Sequence, residues 1–325
     1  MAAARTVTVA IPVLNGRPRR ASRRAAGGRQ RVDAEVELLV ADSGSSDGSR
    51  EAAARHGASV IDVPAGEFSH GGTRNLLMAE ASGSHVAFLT QDAAPADESW
   101  LARLLDGFDL AEDVGIVFGP YRPRPGASPM VRRELDSFFH AFAPDGRPRV
   151  DRGTVPEVDP LADRRRGYFT DANGCVARRA WEQVPFRQVA YAEDQMLARD
   201  MLMGGWAKVY HPAAAVIHSH AYTPRRVLRR SFDESRALRE VHGHRANARP
   251  LKTALVVQRE TRDDLALART EGLSLPQRAA VLPRSVAHHL ARTVGSALGS
   301  RADRLPPSVR RMLSLERRDG FDPQC

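Results

Sequence analysis

The chain has 325 residues, of which 42% are hydrophobic, enough for a globular core in one large domain or in a domain with an appendage. The two cysteines, Cys175 and Cys325, have neither the spacing of a zinc site nor the number of a disulfide framework. No apolar run approaches the roughly 18 residues of a membrane span, and the apolar segment near the start is too short for a signal peptide, so we expect a cytoplasmic protein.

The formal net charge of +9 is concentrated at the C-terminal end. Residues 222–325 contain 21 Arg and Lys against 11 Asp and Glu, whereas residues 1–221 contain 27 against 28. Such a basic segment favours an anionic partner, either a phospholipid surface or a nucleic acid. Because no recognised nucleic-acid-reading motif accompanies the charge, we expect no nucleic acid as a partner.

Strands and helices alternate in the first part of the chain. The residue patterns predict a strand at 6–14, a strand at 35–42, a helix at about 48–55 capped by Asp47, a strand at 58–63, a helix at 73–81 and a strand at 85–92. This alternation at short spacing predicts a mostly parallel sheet with helices on both faces.

The segment at 17–31 interrupts this pattern, because it contains no Leu, Ile, Val, Met or aromatic residue. It cannot present the apolar stripe of a packed helix, and we expect it to be poorly packed. Two interpretations stay open: a natural basic loop, or the product of two compensating frameshifts in the gene.

The second part of the chain begins with further α/β elements and ends as helices. The patterns predict, in order, a helix at 98–108, a strand at 114–120, loop and short helix rather than sheet at 122–166, a strand and turn at 167–181, a helix at 193–205, a last strand pair at 206–220, and helices from 223 with breaks at Pro250, Pro276, Pro283 and Pro306.

Asp92 follows the apolar run at 86–89, at the expected carboxyl end of a strand. In an open α/β sheet, ligands bind outside this edge, and a carboxylate there can hold a divalent cation against phosphate oxygens. The alternative role for Asp92 is to cap a turn or the following helix.

Six motifs occur in the order AIPVLNG (10–16), VADSGSSDGS (40–49), EFSHGGTRN (67–75), TQDA (90–93), AEDQM (192–196) and HSH (218–220). Together they resemble glycosyltransferase family 2, the inverting GT-A enzymes, and FSHGGTRN with TQDA is most similar to the bacterial rhamnosyltransferase branch. The resemblance covers about residues 6–240. It implies an α/β GT-A fold with a mostly parallel, Rossmann-like sheet flanked by helices, and the residue pattern from 223 adds a helical C-terminal extension.

The resemblance, together with the basic composition and helical pattern after residue 221, also predicts the domain organisation. A catalytic domain occupies 1–221, with a nucleotide-sugar half at about 1–120 and an acceptor half at about 121–221, and the basic helical extension occupies 222–325.

The resemblance further implies which residues bind the nucleotide sugar: Pro12, Asp42, Arg74, Asn75, Gln91, Asp92 and Asn173. Asp42 would accept hydrogen bonds from the base or ribose, although it could instead cap a turn or a helix. Arg74 and Asn75 would open a helix and face the diphosphate, although Arg74 could instead pair with Glu67 or Glu80.

For the cation, we expect Mg²⁺ or Mn²⁺ held by Asp92, His218 and His220. Most of the family has two carboxylates at the end of the fourth strand, but Thr90 replaces the first of them here. His218 and His220 would point to the same face of a strand and compensate, since imidazole suits Mn²⁺.

Glu193 and Asp194 are the expected catalytic pair, with Asp194 matching the family's base and Asp171 or Glu193 next in line. A helix N-terminus would favour the ionised form that a base needs. Acids that merely stabilise the first turn of a helix are the alternative.

The resemblance implies that the function is the transfer of a sugar, L-rhamnose from dTDP-L-rhamnose, onto a cell-envelope glycan or a lipid-linked acceptor. The alternative is a catalytically impaired GT-A module that acts as a binding or scaffold protein. Residues 286–305 alternate apolar and basic residues at helical spacing, which predicts either peripheral contact with the inner face of the plasma membrane or a helix packed against the catalytic domain.

Overall fold

The structure, a computed structural model, describes residues 6–16, 30–64, 66–153, 165–189 and 191–315. The chain divides into two compact units, the first comprising 1–124, 138–189 and 193–218 and the second comprising 125–137, 190–192 and 219–325. The predicted extension from residue 222 lies within the second unit. Residues 17–29 of the segment without apolar side chains lie outside the described residues.

The first unit contains an eight-stranded sheet and a three-stranded sheet. The strands are β1 (Thr6–Val13), β2 (Glu35–Asp42), β3 (Ser59–Asp62), β4 (His85–Leu89), β5 (Ala94–Pro95), β6 (Val114–Phe118), β7 (Tyr121–Arg122), β8 (Arg149–Asp151), β9 (Asn173–Ala177), β10 (Ala207–Tyr210) and β11 (Val216–Ile217). The larger sheet has the order β3-β2-β1-β4-β9-β6-β10-β8, and the smaller has the order β5-β11-β7.

The larger sheet is mostly parallel, as predicted. Parallel pairing joins β1 to β2 and β4, β2 to β3, and β6 to β10, whereas β9 runs antiparallel to β4 and β6, and β8 to β10. The carboxyl ends of β1, β2 and β4 therefore meet at one edge, which is where ligands bind in α/β sheets.

Ten α-helices accompany the strands within the described residues. They are α1 (Ser49–Arg55), α2 (His70–Glu80), α3 (Trp100–Asp106), α4 (Pro129–His140), α5 (Arg178–Trp181), α6 (Glu193–Met203), α7 (Pro224–His242), α8 (Pro250–Thr270), α9 (Leu275–Gly299) and α10 (Pro307–Leu313), with 3₁₀ turns at Gly107–Leu110 and Ala302–Arg304. Among these helices, none combines the length and apolar character needed to cross a bilayer.

The core of the first unit lies along the middle of the larger sheet. Strands β4, β6 and β9 are buried at almost every position, which explains the apolar runs of β4 and β6. Phe88, Phe118 and Trp100 are fully buried, and the indole Nε1 of Trp100 donates a hydrogen bond to Oδ1 of Asn173 at 2.7 Å. Burial of the polar indole edge is therefore compensated by a neighbouring strand.

The prediction of loop and short helix rather than sheet at 122–166 is wrong at β8, because three residues are too few to show the alternation of a strand. Strand β8 pairs with the edge of β10, and Oδ2 of Asp151 lies 3.2 Å from Nζ of the fully buried Lys208. Burial lowers the pKa of Lys208 to about 8, although the Asp151 carboxylate opposes this shift. A long-range ion pair thus supports a strand that the local sequence does not indicate.

Two strands lie within 206–220, as predicted, but they do not pair with each other. Strand β10 belongs to the larger sheet, whereas β11 lies between β5 and β7 in the smaller one. Because β11 ends at Ile217, His218 and His220 follow the strand rather than lying on it.

Two predicted helix features also differ from the structure. Helix α2 begins at His70, with Oγ of Ser69 accepting the Gly72 N–H at 3.1 Å, so Arg74 and Asn75 lie in the second turn and not at the opening of the helix. Helix α9 continues through Pro283. A proline inside a helical pattern can be tolerated, and the sequence pattern alone does not distinguish this from a break.

In the second unit, glycines allow α7 and α9 to pack backbone to backbone. A Cβ atom on Gly295 would lie 2.2 Å from the carbonyl oxygen of Leu228, and one on Gly299 would lie 2.1 Å from that of Phe232. Neither position has room for a side chain unless the helices separate.

We expect Gly295→Ala to destabilise the protein by about 1–3 kcal/mol, the usual cost of overpacking, even though alanine favours helix formation by about 1 kcal/mol over glycine. Urea unfolding followed by circular dichroism measures this loss. Ser296→Ala is the matched control, because it removes an atom at the next position. Equal midpoints for the two variants would show that α7 and α9 are not in close contact.

Candidate active site

The loops that follow β1, β2 and β4 are hydrogen-bonded to one another at the carboxyl edge of the sheet. Oδ1 of Asn15 accepts the Ser46 N–H at 3.0 Å, and the Asn15 N–H donates to Oγ of Ser45 at 2.8 Å. The Leu14 N–H donates to Oε1 of Gln91 at 3.0 Å. The edge is therefore a connected surface that includes the half-buried Pro12 at the end of β1.

Asp42 is buried at this edge, at the end of β2. Its Oδ2 accepts the N–H groups of Gly44 at 3.2 Å and Ser45 at 3.0 Å. This oxygen therefore caps a turn, which was the alternative role for Asp42. The other oxygen, Oδ1, is buried and has no hydrogen-bond partner among the described residues. Because an unpaired buried acceptor costs about 1–3 kcal/mol, Oδ1 is well suited to a donor group on a ligand.

Asp92 and His218 come together in the first unit, 126 residues apart in the chain. Oδ1 of Asp92 lies 3.5 Å from Nδ1 of His218, whose ring contacts Tyr121 with 4.9 Å between centroids. Arg124 approaches the same aspartate, with Nη2 3.7 Å from Oδ2 and a hydrogen bond to the backbone carbonyl. This carboxylate–imidazole pair fits two ligands at about 2.1 Å from one divalent cation.

His220, the third predicted metal ligand, belongs to the second unit. There its ring stacks on that of Tyr222, with centroids 4.8 Å apart. Its role at a metal stays a prediction.

A buried arginine joins three parts of the first unit. Nε of Arg74 lies 2.6 Å from Oδ2 of Asp171, and its Nη1 lies 2.9 Å from Oε1 of Glu193 and donates to the His70 carbonyl at 3.0 Å. All three charged side chains are at least 93% buried. Arg74 thus pairs with acids far along the chain and not with Glu67 or Glu80.

Asp194 lies beside this network in the first turn of α6. Its carboxylate accepts the backbone N–H of Gln195 at 2.8 Å and also that of Asp171. Burial, followed by the charge of Glu193, raises the pKa of Asp194 to about 7, against the opposing effect of Arg74. The expected lowering by the helix N-terminus is therefore outweighed, and Asp194 is a stronger base than an ordinary aspartate.

The residue before this acidic pair has an unusual backbone. Ala192 has a φ angle of 61°, in the left-handed region that a side chain disfavours. This conformation turns the chain immediately before α6 begins at Glu193.

The two predicted asparagines hold parts of the protein together. Asn75 donates to the Phe186 carbonyl at 2.8 Å and accepts from the Phe186 N–H at 3.0 Å and from Nε1 of Trp181 at 2.8 Å. The fully buried Asn173 accepts from Trp100 and donates to two backbone carbonyls at 2.8 and 3.2 Å. Their binding to a nucleotide sugar stays a prediction, and a structural function already accounts for both amides.

Sequence reasoning missed Tyr121 and Arg124 and treated Asp171 only as a substitute base. Tyr121 directly follows the strand predicted at 114–120, the same signal that selected Asp92, and its hydroxyl is hydrogen-bonded to Oγ1 of Thr170. Arg124 carried no signal, because it is one of many arginines in a stretch assigned to loops.

Comparison with known proteins agrees with the family that the sequence motifs resemble. The family model for Glycosyl transferase family 2 matches residues 9–171, half of the chain. Over 202 residues the chain is 31% identical to the O-antigen chain rhamnosyltransferase WbaN of Salmonella anatum, an alignment that covers 61% of each protein. The chain therefore spans about three fifths of the length of this relative.

Two further proteins extend the comparison. The chain is 28% identical over 219 residues to the N-acetylglucosaminyl-diphospho-decaprenol L-rhamnosyltransferase of Mycobacterium tuberculosis, covering 58% of this chain and 68% of the relative. Its fold is similar to that of a mannosyltransferase from Pyrobaculum calidifontis solved with GDP-Man and Mn²⁺, with a TM-score of 0.58, 19% identity, and coverage of 92% of this chain and 88% of the other. The motifs, the sheet and the matching family model lead to one conclusion: the chain belongs to glycosyl transferase family 2.

Proposed function

We propose that this protein is an inverting glycosyltransferase that moves L-rhamnose from dTDP-L-rhamnose onto a glycan or lipid-linked acceptor. The observation that carries the proposal is the buried cluster of Arg74, Asp171, Glu193 and Asp194 in a family 2 chain. It leaves Asp194 as a base whose pKa of about 7 suits proton transfer near neutral pH.

The names of the relatives support the choice of sugar and acceptor. Both are called rhamnosyltransferases, and the mycobacterial one is named for a diphospho-decaprenol acceptor, which is lipid-linked. The dTDP-linked donor is part of our proposal.

The nucleotide would bind at the connected loops. Oδ1 of Asp42 would accept an N–H of the base or a hydroxyl of the ribose, beside Pro12 and Gln91. Mg²⁺ or Mn²⁺ at Asp92 and His218 would neutralise charge on the leaving diphosphate. Arg124, which approaches Asp92, supplies a further positive charge at this place.

Arg74 takes a positioning role in this proposal instead of binding the diphosphate. Its Nε and Nη1 groups already face Asp171 and Glu193, and its side chain is only 6% exposed. It fixes the start of α6 so that Asp194 can remove the proton of the acceptor hydroxyl. The hydroxyl would attack from the face opposite the diphosphate, and one displacement of this kind inverts the anomeric centre.

An assay of turnover with a panel of nucleotide-sugar donors tests both the transferase activity and its requirement for a divalent cation. We expect release of dTDP from dTDP-L-rhamnose with Mg²⁺ or Mn²⁺ and none in excess EDTA. Asp92→Asn should lower turnover by about 10²-fold or more, because it removes a group that stabilises charge. The exposed Asp33→Asn is the matched control and should retain full activity.

Two outcomes would contradict parts of this proposal. Full activity in EDTA would exclude the cation. Binding of dTDP by the wild-type protein without transfer from any donor would instead favour the scaffold alternative.

The pKa of Asp194 leads to a specific pH dependence. Because a base must be unprotonated, kcat/KM should fall about tenfold per pH unit below pH 7. Glu193→Gln removes the neighbouring charge that raises this pKa, so its acidic limb should move to lower pH. Asp194→Asn should lower turnover by about 10²–10⁴-fold, with dTDP affinity, measured by calorimetry, nearly unchanged. An unshifted limb in Glu193→Gln, or full activity in Asp194→Asn, would place the base elsewhere.

A lipid-linked acceptor would require contact with a membrane, and the second unit has a surface suited to it. Helices α8 and α9 form an apolar groove of about 980 Å³ that Arg262, Arg269 and Arg301 help to line. Along α9, apolar side chains that are 36–47% exposed recur every four residues: Leu282, Val286, Leu290 and Val294. We propose that this surface docks on an anionic bilayer, because it combines apolar area with positive charge.

Vesicle flotation tests this docking. The full-length protein should float with vesicles containing phosphatidylglycerol at low salt and much less with pure phosphatidylcholine. Leu290→Glu should reduce the floated fraction, because it places a negative charge on the apolar stripe. Leu110→Glu is the matched control, since Leu110 is similarly exposed, at 47% against 46%, but lies in the first unit. Equal flotation of the two variants would refute the assignment.

A further inference from the structure

A second cluster of potential metal ligands lies in the second unit, formed by helices α4, α8 and α9. Its centre is His289 on α9, which is 1% exposed. Nε2 of His289 lies 2.7 Å from Oδ2 of the fully buried Asp264. Asp264 is itself held by Oγ of Ser285 and Nε of Arg133, each at 2.6 Å. A fixed carboxylate therefore faces one nitrogen of the ring.

This contact determines which ring nitrogen of His289 carries the hydrogen. An ionised carboxylate only accepts hydrogen bonds, so Nε2 of His289 must carry the proton that Asp264 receives. In the neutral ring, Nδ1 then carries a lone pair and no hydrogen, so it can act as a metal ligand.

The other nitrogen is buried without a partner. Nδ1 of His289 makes no hydrogen bond to any described residue and lies 3.6 Å from Oε1 of Glu134 on α4. A lone pair facing a carboxylate oxygen is unfavourable unless a positive centre lies between them. A cation bound between these two atoms would remove this repulsion.

A third ligand atom completes the group. Nε2 of His288 lies 3.1 Å from the same Oε1 of Glu134, and the three ligand atoms lie within 4.8 Å of one another. Zinc bonds nitrogen and oxygen at about 2.0–2.2 Å, so ligand atoms around a tetrahedral ion are separated by about 3.3–3.6 Å. The distances from Glu134 to the two histidines, 3.1 and 3.6 Å, are close to this range.

We propose that Glu134, His288 and His289 form a binding site for Zn²⁺ or a similar transition-metal ion, with Asp264 as the carboxylate behind His289. Two imidazoles and one carboxylate are a donor set that zinc uses in proteins, with a fourth position open to water. The residues of this site belong to the second unit, whereas Asp92 and His218 belong to the first.

Binding must displace the cationic side chain that contacts Glu134. Arg292 contacts Oε1 of Glu134, and its side chain is 51% exposed, so it can turn into solvent. His288 would exchange its contact with Glu134 for a bond to the ion. The bound ion would connect α4 to α9, and through Asp264 it would also fix α8.

The test uses the full-length protein, stripped with a chelator and dialysed. Zinc should bind by calorimetry and raise the unfolding temperature, and Co²⁺ in its place should give the visible absorption band of a tetrahedral nitrogen–oxygen site. His289→Gln should weaken zinc binding by more than the 10–100-fold that loss of an outer-sphere partner costs. Arg292→Ala should bind zinc at least as tightly as the wild type, because it removes a competing cation.

Further variants make the result decisive. If His289→Gln does not fold, His288→Gln replaces it, since His288 is partly exposed, and it should lose the cobalt band. Asp92→Asn should keep the band, because it affects only the first unit. No cobalt band and no zinc-dependent rise in unfolding temperature would overturn the proposal, and so would equal zinc affinity in the wild type and His289→Gln. None of these measurements depends on glycosyl transfer.

Discussion

The arrangement of the candidate active site depends on one buried arginine. Arg74 joins Asp171, just before β9, and Glu193, at the start of α6, to helix α2. Breaking a buried ion pair by removing one partner typically costs about 3–5 kcal/mol, because a buried charge is left alone. Arg74 has two such partners, so the positions of three chain segments are coupled through a single side chain.

This network also gives two adjacent acids different properties. Glu193 lies 2.9 Å from Arg74 and has its charge compensated, whereas Asp194 experiences burial and the charge of Glu193, which raise its pKa. Separating the properties of neighbouring carboxylates through their environments is a common way to assign acid and base roles. A family 2 chain with one carboxylate fewer at the end of β4 thus still carries a well-defined candidate base.

Local patterns predicted most of the sheet, because the apolar runs of β1, β2, β4 and β6 are long and are bounded by turn residues. They did not predict the partners of Arg74, because Asp171 and Glu193 lie 97 and 119 positions further along the chain. They also could not show that the amides of Asn75 and Asn173 bond to protein groups, since a ligand-binding amide and a structural amide look alike in sequence. The group formed by Glu134, His288 and His289 was missed because Glu134 lies 154 positions before His288.

The left-handed backbone of Ala192 has a consequence for how such a chain can evolve. A non-glycine residue in this conformation costs about 1–2 kcal/mol, which glycine would avoid. Glycine at position 192 would also increase the conformational freedom of the backbone just before Glu193 and Asp194. Selection for a more stable chain would therefore favour glycine at position 192, whereas selection for a fixed base would retain a side chain there.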